Sequence, residues 1–293
     1  MDISLESGKY VLAVSGGVDS MALLDLLRQQ AGVKLTVAHF DHGIRSDSHE
    51  DRRLVAELAR KHGLPFVYDE GNLGAGASEA EARSARYAFL RRVQQATGAK
   101  AIITAHHKDD ALETAVLNIL RGTGRKGLTA LSDRHDTRRP LLHISKQQLI
   151  DHAREQGLVW REDSTNHNQT YLRNYIRHRI VPRLNKSGRE QLSQIITRLH
   201  EVNKELDEAL TRQLHLQSTA RKLDRNWFNS LPHNVSREIM AAWLRANGIR
   251  DFDRKTIERL VVLAKVAAAG KQLDIVHGWS IKISTTTLSL LQV

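Results

Sequence analysis

The segment "YVLAVSGGVDSMALLDLL" (residues 10–27) holds the side chains whose types and spacing most directly indicate chemistry. An apolar run leads into two serines, two glycines and an aspartate, and a leucine-rich helical pattern follows. Glycines between a strand and a helix let the backbone approach a ligand closely, and the first N–H groups of the helix favour a phosphate. We therefore expect phosphate to bind at a loop made of Ser15, Gly16, Gly17, Val18, Asp19 and Ser20.

Asp19 is an unexpected residue beside an anion unless a divalent cation lies between the two, and Mg²⁺ is the usual bridge. The loop also lacks the lysine that ends the Gly-x-x-x-x-Gly-Lys-Ser/Thr phosphate loop. The alternative is an ordinary turn in which Ser15 or Asp19 only caps the helix. The hexapeptide in a strand–turn–helix context favours the phosphate site.

Alternating strand and helix patterns position this loop. The sequence predicts strands at "YVLAVS", "KLTVAHFD", "LPFVYDE" and "KAIITAHH", each followed by a helix, with Gly63 ending the second helix and Ser78 capping the third. Such alternation predicts an α/β fold, a doubly wound parallel sheet with helices on both faces. Its ligand site is expected beyond the carboxyl ends of the strands.

The remaining pattern divides the chain into three parts. After Gly122 a basic loop runs to residue 140, and then "SKQQLIDHAREQG" predicts a helix, "LVWREDSTN" a strand and turn, and "YLRNYIRHRIVPRL" another helix. We expect a larger α/β domain that contains the phosphate loop over residues 1–187, a connecting helix over 188–217 and a smaller C-terminal α+β domain over 218–293.

Composition limits the class of protein. The formal net charge of +11 and the pI of about 10.0 favour a polyanionic partner such as nucleic acid, although a generally basic proteome is the alternative. The absence of cysteine excludes disulfides and thiolate metal sites. The sequence shows neither a signal peptide nor an apolar run of about 20 residues, so we expect a cytoplasmic protein with no membrane partner.

The hexapeptide "SGGVDS" resembles the PP-loop of the ATP pyrophosphatase family, which cleaves ATP between the α- and β-phosphates. Together with "AHFDHGIR" (38–45), "AHHKDDALET" (105–114), "WREDSTN" (160–166) and "RNYIR" (173–177), it is similar to the bacterial tRNA(Ile)-lysidine synthetase family. The resemblance implies ATP and Mg²⁺ as cofactors and tRNA(Ile) with a CAU anticodon and free L-lysine as substrates. It makes residues 1–187 the ATP-binding catalytic domain and residues 218–293 a tRNA-binding domain. It further implies adenylation at C2 of the wobble cytidine (position 34), followed by ligation of lysine to give lysidine, AMP and pyrophosphate. At 293 residues the chain is expected to be a short form with one accessory domain.

The resemblance also implies roles for the "AHHKDDALET" side chains. Asp110 or Glu113 would hold the lysine ammonium group and help to deprotonate it, and His106 would stabilise phosphate charge or move a proton. His106, Asp110 and Glu113 would share one helix face if all three were helical, although His106 could belong to the strand. Asp109 could do no more than cap the helix.

Further site residues follow from the same resemblance. Arg177 would stabilise charge on the α-phosphate, and Arg86 and Arg173 would contact the substrates; a surface ion pair is the alternative for each arginine. Asp41 would lie near adenine and substrate. Residues 163–166 are expected to give structural support or cover the substrate.

Other interpretations stay open at this point. The histidines and aspartates of "AHHKDD" could hold zinc, but the absence of cysteine disfavours this interpretation. Related reactions are tRNA thiolation, which needs a sulfur donor, and the amidation reactions of GMP or NAD synthetases. A protein that binds tRNA or a nucleotide without turnover belongs to another class. The resemblance leaves a homodimer as one option for assembly.

Overall fold

The computed structural model describes residues 1, 3–43, 47–71, 73, 74, 76, 78–133, 135–161, 172–219, 221–250 and 252–292. The chain divides into two compact units, Met1–Thr197 and Arg198–Val293. The division falls inside one long helix, Lys186–Gln217. The domain boundaries proposed from the sequence stay a prediction.

The first unit is built on a parallel sheet of five strands in the order β3-β2-β1-β4-β5. These strands are β1 Gly8–Ala13, β2 Val33–Asp41, β3 Phe66–Glu70, β4 Ala101–Ile103 and β5 Thr137–Arg138. β2 and β3 lie on one side of β1, and β4 and β5 lie on its other side. The strand order therefore reverses between β1 and β4, which is where an open α/β sheet forms its ligand crevice.

Helices follow the strands, as the sequence predicts. They are α1 Val18–Arg28, α2 Ser48–Lys61, α3 Glu79–Thr97, α4 Lys108–Leu120, α5 Arg125–Leu128, α6 Lys146–Glu155 and α7 Leu172–Tyr175. Ser78 caps α3 and accepts a hydrogen bond from the Glu81 backbone N–H at 3.2 Å. Gly63 follows the end of α2 with a φ of 63°, a conformation that glycine adopts without strain.

Apolar side chains cover both faces of this sheet, which confirms the α/β prediction. Leu12 packs on one face with α1 and α2 side chains, whereas its neighbour Val11 packs on the other with Phe89 and Leu90 of α3. This opposition follows from the two-residue period of a strand. Leu149 of α6 belongs to the same core as Leu12.

Three segments differ from the sequence prediction. The basic loop after Gly122 contains α5 and β5, elements too short to produce a periodic pattern. Residues 158–161 form no strand, and residues 162–166 lie outside the described part of the chain. The helix predicted at "YLRNYIRHRIVPRL" changes after α7 into a π-helical segment, Ile176–Ile180, and a 3₁₀ turn, Val181–Arg183. Pro182 has no N–H with which to continue an α-helical ladder.

The second unit has an antiparallel sheet and helices, as predicted for an α+β domain. Besides part of α8, Lys186–Gln217, it contains α9 Arg225–Ser230, α10 His233–Ala246 and α11 Arg254–Val266, together with β6 Ser218–Thr219, β7 Lys222–Asp224, β8 Gln272–Asp274, β9 Trp279–Ile283 and β10 Thr287–Gln292. The strand order is β6-β7-β10-β9-β8. Trp243 and Phe228 are fully buried in its core. Throughout the described residues, every helix is too short or too polar to cross a membrane.

Candidate active site

A cavity of about 280 Å³ lies at the carboxyl ends of β1, β2 and β4. Three of the predicted loop residues line it, Ser15, Asp19 and Ser20. The other lining residues come from the strand ends, from α3 and from the starts of α2 and α4: Ala13, Val14, Ala38, His39, Phe40, Asp41, His42, Ser48, Asp51, Arg86, Leu90, Thr104, Ala105, His106 and Asp110. The cavity thus brings the phosphate loop and the "AHHKDD" motif together at the point where the strand order reverses.

The loop between β1 and α1 needs glycine for two reasons. Gly16 has a φ of 93°, which strains other residues, and a Cβ there would lie 3.3 Å from the Asp51 side chain. Gly17 precedes α1 in an extended conformation. The Ser20 hydroxyl donates to the Gly17 carbonyl at 2.9 Å and accepts from the Ser15 N–H at 3.2 Å. These two hydrogen bonds fix the backbone conformation of the loop at the start of α1.

Asp19 forms an ion pair with a residue that the sequence analysis missed. Lys146, the first residue of α6, places its Nζ 2.7 and 2.8 Å from the two carboxylate oxygens of Asp19. Lys146 lies 127 positions further along the chain than Asp19. The sequence carried only a weak signal for it, the capping pattern Ser145-x-x-Gln148 around a helix start.

The two histidines precede α4 rather than extending it. His106 lies between β4 and α4, so only Asp110 and Glu113 share the helix, and the three-residue helix face does not form. The His106 Nδ1 lies 2.8 Å from the Thr104 hydroxyl. The backbone N–H of His107 donates to Asp110 at 3.0 Å.

His106 is held in its neutral form. Although part of its surface faces the cavity, burial lowers the pKa of His106 to about 3, and the charges of Arg139 and Arg86 act in the same direction while Asp110 opposes them. A neutral imidazole can donate or accept a hydrogen bond at pH 7 but carries no positive charge. His39, which also lines the cavity, has its pKa lowered by burial as well.

Arg177 neutralises the two carboxylates of α4. Its Nε lies 2.7 Å from Glu113 Oε1, and its Nη2 lies 2.9 Å from Oε2 and 3.2 Å from Asp110 Oδ1. Arg173 Nε lies 3.6 Å from Glu113. Burial opposes ionisation of Asp110, but the neighbouring His107 ring, the hydrogen bond from the His107 N–H and the charge of Arg177 outweigh it, so the Asp110 pKa is lowered. The same carboxylates raise the pKa of Arg177 against the effect of burial.

The predicted substrate residues Arg86 and Asp41 also line the cavity. Asp41 closes the turn after β2, where it accepts from the Gly43 N–H at 2.8 Å and from the Ser48 hydroxyl at 2.9 Å. The backbone N–H of Arg161 donates to the Gly16 carbonyl at 3.0 Å, which ties the segment before residues 162–166 to the loop.

Asp109 has a role that differs from capping α4. Its Oδ2 accepts a hydrogen bond from the backbone N–H of Lys146 at 2.8 Å and so fixes the start of α6. Asp51 and Thr104 are further cavity residues that the sequence analysis did not single out. Their types are common on strand ends and helix starts, so only the fold reveals their position.

The donor set agrees with Mg²⁺ bound mainly by a nucleotide. Within the described ranges, histidine, aspartate and glutamate side chains form no group of three that could hold a metal ion by themselves. Mg²⁺ is commonly bound by one or two carboxylates plus substrate phosphates. Asp19, whose side chain is 26% exposed at the cavity, could supply one such carboxylate.

Comparison with known proteins agrees with this fold and loop. Residues 3–184 match the family described as the PP-loop domain, the class of nucleotide-binding protein that the sheet and the glycine loop define. A tRNA(Ile)-lysidine synthase of Thermotoga sp. is 42% identical over 61% of this chain and 46% of its own. Those of Exiguobacterium sibiricum and Solibacter usitatus are 35% and 30% identical, over 90% and 96% of this chain and 65% and 67% of theirs. The chain therefore belongs to the tRNA(Ile)-lysidine synthase family within the PP-loop proteins.

The match covers about half the length of the Thermotoga relative. Among solved structures, the chain is similar to U34-tRNA thiolase NcsA from Methanococcus maripaludis at 16% identity. That likeness covers 67% of this chain and 68% of the other, with a TM-score of 0.46. The family assignment depends on the sequence relatives.

Proposed function

We propose that the protein is an ATP-dependent ligase that joins L-lysine to C2 of the wobble cytidine (position 34) of tRNA(Ile) with a CAU anticodon. The observation that carries this proposal is the shared cavity, in which the phosphate loop, His106 and Asp110 meet. The curated relatives are named tRNA(Ile)-lysidine synthases, which supports the same substrate and product.

ATP is expected to bind with its phosphates at the loop. The backbone N–H groups at the start of α1 would bind phosphate oxygens, and the hydroxyl groups of Ser15 and Ser20 would add hydrogen bonds. Asp19 would hold Mg²⁺ together with the phosphates. The cation, when bound, would neutralise phosphate charge during displacement.

The first step is attack of the cytidine O2 on the α-phosphorus. The bond to the β-phosphate oxygen breaks, pyrophosphate leaves, and AMP stays bonded to the cytidine O2. Arg86, at the cavity, and Arg177, beside Asp110, would stabilise negative charge on the α-phosphate. Neutral His106 would contribute a hydrogen bond.

The second step is attack of the lysine ε-amine on C2, which breaks the C2–O2 bond and releases AMP. Lysine reaches the site as an ammonium ion and must lose a proton before it attacks. The carboxylates of Asp110 and Glu113 form an anionic pair balanced by Arg177, and Arg173 lies 3.6 Å from Glu113. These two carboxylates would bind the ammonium group, and either could take part in the proton transfer.

The net charge of +11 supports a nucleic acid partner. We further propose that the second unit, the α+β domain, contacts the tRNA, that the chain acts in the cytoplasm, and that a homodimer is one option for its assembly. Thiolation is disfavoured because no cysteine is available to carry sulfur.

The proposal is tested by incorporation of isotopically labelled lysine into total bacterial tRNA in the presence of ATP and Mg²⁺, followed by mild alkaline treatment. An aminoacyl ester would be lost under alkali, whereas lysine joined to a base carbon should remain. Alkali-stable, ATP-dependent label in an isoleucine tRNA is the expected result. Pyrophosphate release with another substrate, without stable label, would overturn the assignment of tRNA and lysine. ATP binding without any AMP or pyrophosphate would indicate a non-enzymatic binding protein.

A further inference from the structure

We propose that Lys146 is the phosphate-binding lysine of this site and that it binds the β- and γ-phosphates of ATP, the part that leaves as pyrophosphate. This inference rests on the proposed function of the cavity as an ATP site. The loop "SGGVDS" contains no lysine, but Lys146 Nζ lies within 2.8 Å of both oxygens of Asp19 in that loop. The cationic group that a phosphate loop normally carries on its own helix is supplied here by α6.

The start of α6 is fixed by contacts that do not involve the lysine side chain. The Lys146 backbone N–H donates to Asp109 at 2.8 Å, and the Lys108 N–H donates to the Ile144 carbonyl at 2.9 Å. Ser145 and Gln148 form a capping box at the same helix start. The first turns of α4 and α6 are thus joined, and the Lys146 side chain can move without displacing its backbone.

A second side-chain contact, between a histidine and an aspartate, fixes the register of α6 against α1. His152 Nε2 lies 3.0 Å from Asp25 Oδ2, and Asp25 is almost fully buried, at 2% exposure. This pair and the Asp19–Lys146 pair both join residues 127 positions apart. Because the separation is the same, α1 and α6 keep one register over both contacts. The buried Asp25–His152 pair stabilises the register in which Lys146 contacts the loop.

The Asp19–Lys146 pair is suited to exchange of partners. The Lys146 side chain is 41% exposed and that of Asp19 is 26% exposed, so both remain accessible, and Asp19 lines the cavity. Partly exposed ion pairs hold their charges together only weakly. A triphosphate, with several negative charges, would attract the ammonium group, and Asp19 would then be available to Mg²⁺.

The chemical consequence concerns the leaving group. When the bond between the α-phosphorus and the bridging oxygen breaks, negative charge accumulates on pyrophosphate. The ammonium group of Lys146 would stabilise that charge. Lys146 would therefore contact the leaving group, whereas Arg177 lies beside Asp110.

The test compares binding of ATP, AMP and pyrophosphate, each with Mg²⁺ and without tRNA or lysine, by titration calorimetry. Lys146→Met is expected to lower the affinity for ATP and for pyrophosphate about 10- to 100-fold, the loss typical of one charged hydrogen bond. The affinity for AMP should stay unchanged. Lys146→Arg is expected to retain most of the preference for ATP over AMP. Lys34→Met is the matched control, because Lys34 is exposed at the amino end of β2, away from the cavity.

Unchanged ATP affinity in Lys146→Met, or an equal loss for ATP and AMP, would overturn the inference. Lys146→Gln is the second variant, used if Lys146→Met lowers the thermal midpoint, because glutamine can still hydrogen-bond to Asp19. It must lower the affinity for ATP and pyrophosphate and leave that for AMP unchanged. His152→Gln should lower the affinity for ATP selectively, but by less than Lys146→Met, because it affects only the register of α6 against α1. A protein that shows this pattern yet attaches no lysine to tRNA would contradict the proposed ligation and leave the role of Lys146 intact.

Discussion

Arg177 binds Glu113 through two hydrogen bonds, at 2.7 and 2.9 Å, and reaches Asp110 with the same guanidinium group at 3.2 Å. The arginine stands on a π-helical segment, a geometry that is frequent at functional sites. In the proposed mechanism the lysine ammonium binds the same two carboxylates, so the substrate would share or displace this contact. The proposed adenylation and lysine steps should therefore respond differently to changes in the cluster.

We predict that Glu113→Gln separates the two steps. The variant removes a negative charge from the ammonium site but keeps a side chain of the same size against Arg177. The apparent KM for lysine should rise about 10- to 100-fold, whereas tRNA- and ATP-dependent pyrophosphate release should change little. Both are measured on the same tRNA, and Glu190→Gln is the control because Glu190 pairs with Lys108. If pyrophosphate release fell as much as lysine attachment, the proposed role of Glu113 in binding lysine would be contradicted.

We predict that Asp19→Ala abolishes Mg²⁺-dependent use of ATP and leaves the fold intact. The Asp19 side chain is partly exposed and belongs to none of the three hydrophobic core clusters found among the described residues of the first unit. Pyrophosphate release should fall about 100- to 1,000-fold at saturating Mg²⁺, as for loss of one electrostatic group in a transition state. The far-ultraviolet circular dichroism and thermal midpoint should match the wild type. An unaffected rate would refute our interpretation of the loop.

We predict that charge reversal in α5 weakens tRNA binding in a salt-dependent way. Arg125 and Lys126 are the basic residues of this short helix. Arg125→Glu with Lys126→Glu should reduce affinity more at 50 mM than at 300 mM salt, because screening and counterion release weaken phosphate contacts. Filter binding across a salt series measures this difference. An unchanged salt dependence would exclude α5 from the RNA-binding surface.

We predict that His106 makes the protein less stable as the pH falls from 7 to 5. Its pKa is about 3 in the folded state and about 6.5 when unfolded, so the unfolded chain binds more protons in this range. The free energy of unfolding should decrease by about 1 to 2 kcal/mol at pH 5 through this residue. His106→Asn should show a smaller decrease in chemical denaturation at the two pH values. The lowered pKa of Asp110 acts in the same direction only at more acidic pH.

The sequence by itself determined the α/β class, the parallel strands, the capped helix α3 and the glycine turn between β1 and α1. These features depend on local periodicity and on residue types such as glycine, which act over a few neighbouring positions. The family motifs also indicated the cavity residues Asp41, Arg86, His106 and Asp110. By contrast, the strand at residues 158–161 was predicted wrongly, because a strand needs a partner that no local pattern can supply.

Only the tertiary structure decided which charges meet. Lys146 and Asp19 are 127 residues apart, and Arg177 and Glu113 are 64 apart, so their contacts arise from the packing of α1 against α6 and of α4 against the π-helical segment. Burial, which determines the neutral state of His106, likewise depends on all the elements around the cavity. Residue types predict what chemistry is available, whereas distance and desolvation determine which groups can perform it.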